Sequence, residues 1–226
     1  MSVTLTWYGH ATMGLDVDGI RVLIDPYFTG NPSTTVDPAE LEAAFILVSH
    51  GHGDHLGDTL AIAQRTGATV VANAEISGWL RRQGVEVHAQ HIGGGHLHPF
   101  GYLKLTAAMH GSGLPDGSYG GNPAGFLLTT PAGVIYFACD TGLFGDMRMI
   151  GDEGVDLAVL PIGDNYTMGP DDALRAVHLI RPKHVIPVHY NTWDLIAQDS
   201  VAWAERVSRE TTATPHILQP GDTFSL

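Results

Sequence analysis

Cysteine is nearly absent: Cys139 is the single one in 226 residues. No disulfide can form within the chain, and a reducing, cytoplasmic setting is the default expectation. Basic residues are also scarce. Eleven Lys and Arg stand against 24 Asp and Glu, a formal net charge of −13 with neutral histidine. That balance argues against a nucleic-acid partner, whose phosphate backbone is gripped by clusters of Lys and Arg. It leaves small anionic substrates open, because bound cations reverse the local field. No apolar run approaches the ~20 residues that span a bilayer. The first residues, Met1-Ser2-Val3-Thr4-Leu5, have neither the basic nor the long apolar segment of a secretory signal. We therefore expect a soluble, cytoplasmic protein with no membrane partner. The sequence leaves the oligomeric state open, a homo-oligomer included.

Hydrophobic residues make up 44 % of the chain and charged residues only 15 %, with 28 glycines. This is the profile of a sizeable core joined by many tight turns, not of a disordered chain. The length suits one unit, and no Pro-, Ser- or charge-rich linker divides it, so residues 1–226 are expected to form a single domain. Short β-rich runs open the chain at Val3–Tyr8, Met13–Val17 and Ile20–Ile24, the last two joined by the hairpin signal Asp18-Gly19. Strands are then expected at Phe45–Ser49, Thr69–Ala72, Val85–Ala89, Leu103–Met109, Phe126–Thr130, Val134–Ala138, Val155–Pro161 and Lys183–Val188. Helices are expected at Leu56–Thr66, Glu75–Gln83, Leu143–Ile150, Asp171–Ile180 and Ser200–Glu210. The β-rich then βα order occurs twice. It fits two mixed sheets packed face to face with helices outside, a four-layer α/β/β/α sandwich. A single doubly wound sheet is the competing architecture, and the three opening strands without helices count against it.

The abundance that stands out is histidine, with 13 copies. Four metal-competent side chains fall within six residues at His50-Gly51-His52-Gly53-Asp54-His55. The run follows a buried-type strand and precedes a helix, and its two glycines allow alternate side chains to converge. Four ligands in one loop do not complete two metal sites. His110, Asp140 and His189 each abut the end of an expected strand and are the candidates for the remainder.

With these features the chain resembles the metallo-β-lactamase superfamily over essentially its full length. Within it, the chain is similar to a compact branch of metal-dependent hydrolases related to L-ascorbate-6-phosphate lactonase. The matching segments are Tyr8-Gly9-His10-Ala11, Asp25-Pro26, Ser49 through His55, Gly121-Asn122-Pro123-Ala124-Gly125-Phe126, Cys139-Asp140-Thr141-Gly142, Gly163 through Gly169, and Pro187-Val188-His189-Tyr190-Asn191. The resemblance implies two divalent metal ions. His50, His52 and His110 would hold one; Asp54, His55 and His189 would hold the other; Asp140 would bridge them. Imidazoles suit Zn, Fe or Ni, and the carboxylates also admit Mn. It further implies a hydrolase that uses a metal-bridging hydroxide on a small ester, lactone or phosphoester, with Asp54 orienting the attacking water. The alternatives are a phosphodiesterase or nuclease of the same fold, a diiron redox protein, and a non-catalytic metal-binding protein. RNA-processing members carry an inserted domain for which this chain has no room. Oxygen-reducing diiron members have an acidic residue where this chain has His52.

Around the ligands, Asp25 is the candidate acceptor for a ligand imidazole, and His10 and Asp164 are candidates for catalytic or substrate contact. Asn122, Thr167, Tyr190 and Asn191 are weaker ones. His91, His96 and His98 flank three glycines and are expected to form a polar loop over the site, with a third metal site as the lesser alternative. His88, His178, His184 and His216 are expected at the surface or packed in the core. Cys139 is expected to be buried filler.

Overall fold

The structure, a computed structural model, describes residues 2–226. The first half lays down β1 (Val3–Trp7), β2 (Met13–Val17), β3 (Ile20–Ile24), β4 (Phe45–Leu47), β5 (Thr69–Ala72) and β6 (Val87–Ala89). Helices α1 (Gly53–Leu56), α2 (Thr59–Thr66) and α3 (Ala74–Arg81) are interleaved with them. The second half adds β7 (Gly95–His98), β8 (Gly101–Ala107), β9 (Ala124–Thr130), β10 (Gly133–Phe137), β11 (Leu157–Pro161), β12 (His184–Val188) and β13 (Thr214–Pro215). Its helices are α4 (Met147–Gly151), α5 (Pro170–Ile180) and α6 (Ser200–Glu210), and β14 (Thr223–Ser225) closes the chain. Two seven-stranded sheets result, in the orders β14-β1-β2-β3-β4-β5-β6 and β13-β12-β11-β10-β9-β8-β7. Each is antiparallel at the hairpin end and parallel over β3 to β6 and β10 to β13, where helices supply the crossovers except between β3 and β4, which a long loop joins.

Side-chain alternation sets the layers. Along β4 and β5, Ile46, Val70 and Ala72 face outward onto Ile62, Ala63, Ile76 and Leu80 of α2 and α3. Leu47 and Val71 face inward, joining Val3, Leu5 and Trp7 of β1 and Leu103, Leu105, Phe126 and Phe137 of the second sheet. A period of two cannot do otherwise: successive side chains leave opposite faces. Helix α5 buries Ala173, Leu174, Ala176, Val177 and Ile180 at helical spacing, and α6 buries Trp203 and Val207. The four layers are therefore α/β/β/α, as the element order implies. Among the described residues no helix is long and apolar enough to cross a membrane.

Several boundaries follow from local chemistry. Asp18 and Gly19 take φ of 49° and 87°, the all-positive pair of a two-residue hairpin turn, with Val17 opposite Ile20. The helix expected over Leu56–Thr66 is two helices. Gly57 has φ 36° and its α-carbon faces the Pro26 carbonyl so closely that a β-carbon would collide with it, so the chain turns there. The segment expected as a loop over His91–Pro99 contains a strand: β7 pairs antiparallel with β8, from Gly95 opposite Lys104 to His98 opposite Gly101. Its glycines and histidines hide the alternation, because only His98 of the four residues is buried.

Candidate metal centre

Five strand ends deliver polar residues to one edge of the sandwich. His10 follows β1, the His50–His55 run follows β4, His110 follows β8, Asp140 follows β10 and His189 follows β12. A backbone bond from His189 N–H to the His10 carbonyl (2.9 Å) ties two of these loops together. Backbone strain concentrates here: His10, Asp25, Cys139 and His189 all have positive φ, between 47° and 56°. Non-glycine residues adopt that region at a cost of about 1–3 kcal/mol and hold it only where surrounding structure enforces it. At Cys139 the reversal falls one residue before Asp140, just past the end of β10.

The seven residues singled out as ligands converge. Donor atoms of His50, His52 and His110 lie within 4.8 Å of one another, and so do those of Asp54, His55 and His189 together with His10. Asp140 stands between the groups. Its Oδ2 is 3.1 Å from His189 Nε2, 3.3 Å from His55 Nε2 and 3.5 Å from His110 Nε2. His50, His55 and His189 are buried, Asp140 is 3 % exposed, and His52, Asp54 and His110 are half-buried on the open side.

Asp25 organises the buried imidazoles. Its Oδ2 accepts from His55 Nδ1 (2.9 Å) and from the Ser49 hydroxyl (2.6 Å), while Oδ1 accepts the Ser49 amide (2.8 Å). With its proton committed to Asp25, Ser49 Oγ can only accept from His50 Nδ1 (2.9 Å). Both rings therefore carry hydrogen on Nδ1 and direct Nε2 at the centre, which is how a carboxylate sets ligand orientation. The carboxylate foreseen at Asp25 is in place; Ser49, the relay to His50, was not singled out. Asp25→Asn offers one acceptor oxygen where three donors need two. It is expected to weaken zinc binding about 10–100-fold. A competition titration against a chromogenic chelator reads this, and an unchanged affinity removes Asp25 from the positioning role.

Burial pushes the His50 imidazole well below its ordinary value. Burial also lowers His10, to about 4, against the opposing bond to Asp54. Asp140, although buried, is held far below the carboxylate range by His189 and His55. His55 is buried too, yet Asp140 and Asp25 on its two sides raise it strongly. The donor set suits a cation. His55 Nε2, Asp140 Oδ1 and both ring nitrogens of His189 are buried without an aligned hydrogen-bond partner among the described residues, despite the short contacts to Asp140 Oδ2. Buried polar atoms are rarely left so, and imidazole nitrogens beside a carboxylate are donors that a divalent ion satisfies.

The centre opens into a cavity of about 460 Å³ lined by His52, Asp54, His110, Asp140, Tyr166, His189 and Trp193. Of the three residues expected to contact substrate or water, Asp54 lines it directly. His10 is fully buried behind it, with Nε2 3.2 Å from Asp54 Oδ2 and Nδ1 2.8 Å from Thr192 Oγ1. Asp164 is corrected: it is exposed, outside the lining, and its carboxylate accepts the Asn165 amide in a turn. That turn instead carries Tyr166 to the rim. Asn122 takes a hydrogen bond from Tyr119, Thr167 bonds the Met168 carbonyl, Tyr190 stacks on Trp7 at 5.7 Å and Asn191 caps the Gln198 amide, all away from the lining. Cys139 is buried with its thiol pushed well above its ordinary value by burial, a packed side chain and not a nucleophile. Sequence reasoning missed Tyr166 and Trp193. Both are large aromatics in polar loops close to the Asp140–His189 half of the motif, which was the available signal.

Two helix-flanked sheets with a His/Asp cluster at their strand ends define the class of metallo-β-lactamase-fold proteins. Comparison with known proteins agrees. A family model described as a beta-lactamase superfamily domain matches residues 20–190. A UPF0173 metal-dependent hydrolase of Desulforamulus reducens is 48 % identical over 227 residues, covering 98 % of this chain and 99 % of its own. One from Heliobacterium modesticaldum is 46 % identical over 230 residues, covering 98 % and 97 %. The solved structure of Igni18, described as a novel metallo hydrolase from Ignicoccus hospitalis, superposes with a TM-score of 0.91 at 33 % identity, covering 100 % of this chain and 99 % of that one. The chain belongs to the UPF0173 metal-dependent hydrolase family of the beta-lactamase superfamily.

Proposed function

We propose that this protein is a dinuclear metal-dependent hydrolase acting on a small ester or lactone, with phosphoesters as the second substrate class. The observation that carries the reading is the placement of Asp140 Oδ2 within 3.5 Å of imidazoles from both ligand groups. A carboxylate in that position would serve both groups if each held a cation. His50, His52 and His110 would hold one and Asp54, His55 and His189 the other, with zinc favoured and manganese, iron or nickel admitted by the donors. Bound there, the ions would supply a nucleophile at neutral pH and polarise the oxygen of the scissile bond.

The chain's own groups do the rest. Neutral His10 donates Nε2–H to Asp54 Oδ2 and accepts at Nδ1 from Thr192, which fixes the Asp54 carboxylate. No hydrogen bond among the described residues reaches Asp54 Oδ1, so it is left to accept a proton from the attacking water. Trp193 and Tyr166, 37 % and 52 % exposed, offer flat apolar faces at the mouth. Among the described residues no Lys or Arg lines the cavity, which favours an uncharged ester or lactone over a phosphoester. The volume is that of a small-molecule site, and the rim lacks the basic stripe a nucleic acid needs. Small molecules are thus the expected partners.

The test is a panel of lactones, carboxylic esters, thioesters and phosphodiesters, run with zinc- and manganese-reconstituted protein. Turnover of lactones or esters that disappears on chelation and returns with metal is expected. A fully metallated protein inert toward every class, or one isolated with iron and flavin, overturns the reading.

A further inference from the structure

A second histidine cluster lies elsewhere on the molecule. The donor nitrogens of His88, His96 and His98 are all within 4.8 Å of one another, with ring centroids 4.4, 4.8 and 4.7 Å apart. The loop expected to cover the strand-end centre does not reach it. His98 pairs opposite Gly101 at the start of β8, whereas His110 lies beyond that strand's other end, and none of the three lines the cavity. The membership also differs from the sequence grouping. His91 is exposed and stands apart, and His88, expected to be solitary, completes the trio.

We propose that His88, His96 and His98 form an additional binding site for a borderline divalent cation, zinc, nickel or copper, that clips the two sheets together. His88 sits on β6, the outermost strand of the first sheet, and His96 and His98 sit on β7, the outermost strand of the second. An ion held by all three would join two otherwise open edges. Two of the ligands, His96 and His98, are two residues apart on one strand, so their side chains leave β7 on the same face. His98 is anchored for the role. It is 6 % exposed, stacked on Phe100 at 5.0 Å and 7°, and met edge-on by Phe45 from the first sheet. Gln90 commits its NH2 to the carbonyls of Gly94 (3.0 Å) and Leu103 (2.8 Å), turning its oxygen toward His98 Nε2 (3.4 Å). Such an acceptor behind a ligand ring is the usual support of a metal-bound histidine. Tetrahedral zinc at Zn–N of about 2.0 Å sets its nitrogens roughly 3.3 Å apart. Exposed His96 and half-buried His88 have the freedom to close that distance. Among the described residues no carboxylate belongs to the cluster, so imidazole-seeking ions are selected over magnesium or calcium. Three protein ligands leave a fourth position to water.

The experiment compares wild-type protein with the His88→Ala/His96→Ala double variant and the His96→Ala single variant, each dialysed against zinc and analysed for bound metal. Both variants are expected to hold one equivalent fewer than wild type. Zinc-induced rise of the melting midpoint should shrink in step, while ester or lactone turnover stays unchanged. The difference is independent of how much metal the strand-end centre takes. His96 is exposed on an edge strand, so the single variant reads binding without disturbing the core. Equal metal content in wild type and His96→Ala protein, with folding verified by circular dichroism, overturns the proposal.

Discussion

Asp140→Ala is expected to abolish metal uptake at the strand-end centre and to lower kcat/KM by at least ~10³-fold, because cation stabilisation of a developing oxyanion is worth several kcal/mol. The geometry makes this residue irreplaceable. One oxygen, Oδ2, lies 3.1–3.5 Å from the Nε2 atoms of His189, His55 and His110. A second, independent effect should appear in metal-free protein. His55 is fully buried between Asp140 and Asp25, which together raise its proton affinity against the cost of burial. Removing one carboxylate leaves that imidazole short of a counter-charge, and breaking a buried pair costs about 3–5 kcal/mol. Metal analysis and thermal melts with and without zinc separate the two effects. Asp140→Asn keeps the shape without the charge and should retain part of the stability but not the metal. An alanine variant that binds full metal and turns over normally would sink the bridging assignment.

What the sequence reveals about this centre, and what it hides, follows from chain distance. His50, His52, Asp54 and His55 are legible because four donors in six residues, after an apolar strand, have no comparable structural use. His110, Asp140 and His189 are legible one step later, as polar residues at the ends of strands whose apolar runs are plain. Asp25 is legible as a carboxylate ending a strand, but the Ser49 relay to His50 is a matter of hydroxyl direction, which no pattern encodes. The Asp164 expectation fails for the same reason. The 163–169 turn does approach the cavity, yet positive φ at Asp164 (63°) and Asn165 (47°) turns the carboxylate onto the local backbone and sends Tyr166 to the rim. The β7 strand and the His88 trio are hidden more deeply. A four-residue edge strand with one buried residue, a histidine, has no hydrophobic period, and a cluster assembled across two sheets requires knowing that β6 and β7 are the edges that meet. The alternating strands, the Asp18-Gly19 turn and helix α6 are all local features, and those are where sequence and structure coincide.

Asp54→Asn is expected to reduce turnover about 10²–10⁴-fold while leaving the fold intact, the range lost when a positioned proton acceptor is removed. The side chain is 29 % exposed and sits in the first turn of α1, so its replacement opens no core cavity. The amide is nearly isosteric and can still accept from His10 Nε2 through its oxygen. It cannot take a proton from water at Oδ1. Metal content therefore separates its two roles. The His50, His52 and His110 group does not include Asp54, so at least half of the bound metal should remain. A loss of turnover much larger than the loss of metal assigns Asp54 chiefly to proton acceptance; losses in proportion assign it chiefly to holding the ion. His10→Gln should show a weaker form of the first pattern, since it releases the carboxylate without removing it. Fully metallated Asp54→Asn protein that retains turnover within ~3-fold of wild type would exclude both roles, because neither a ligand nor an acceptor of this kind is dispensable to hydrolysis. A non-catalytic metal-binding protein, by contrast, would show no substrate turnover in any of these variants or in the parent.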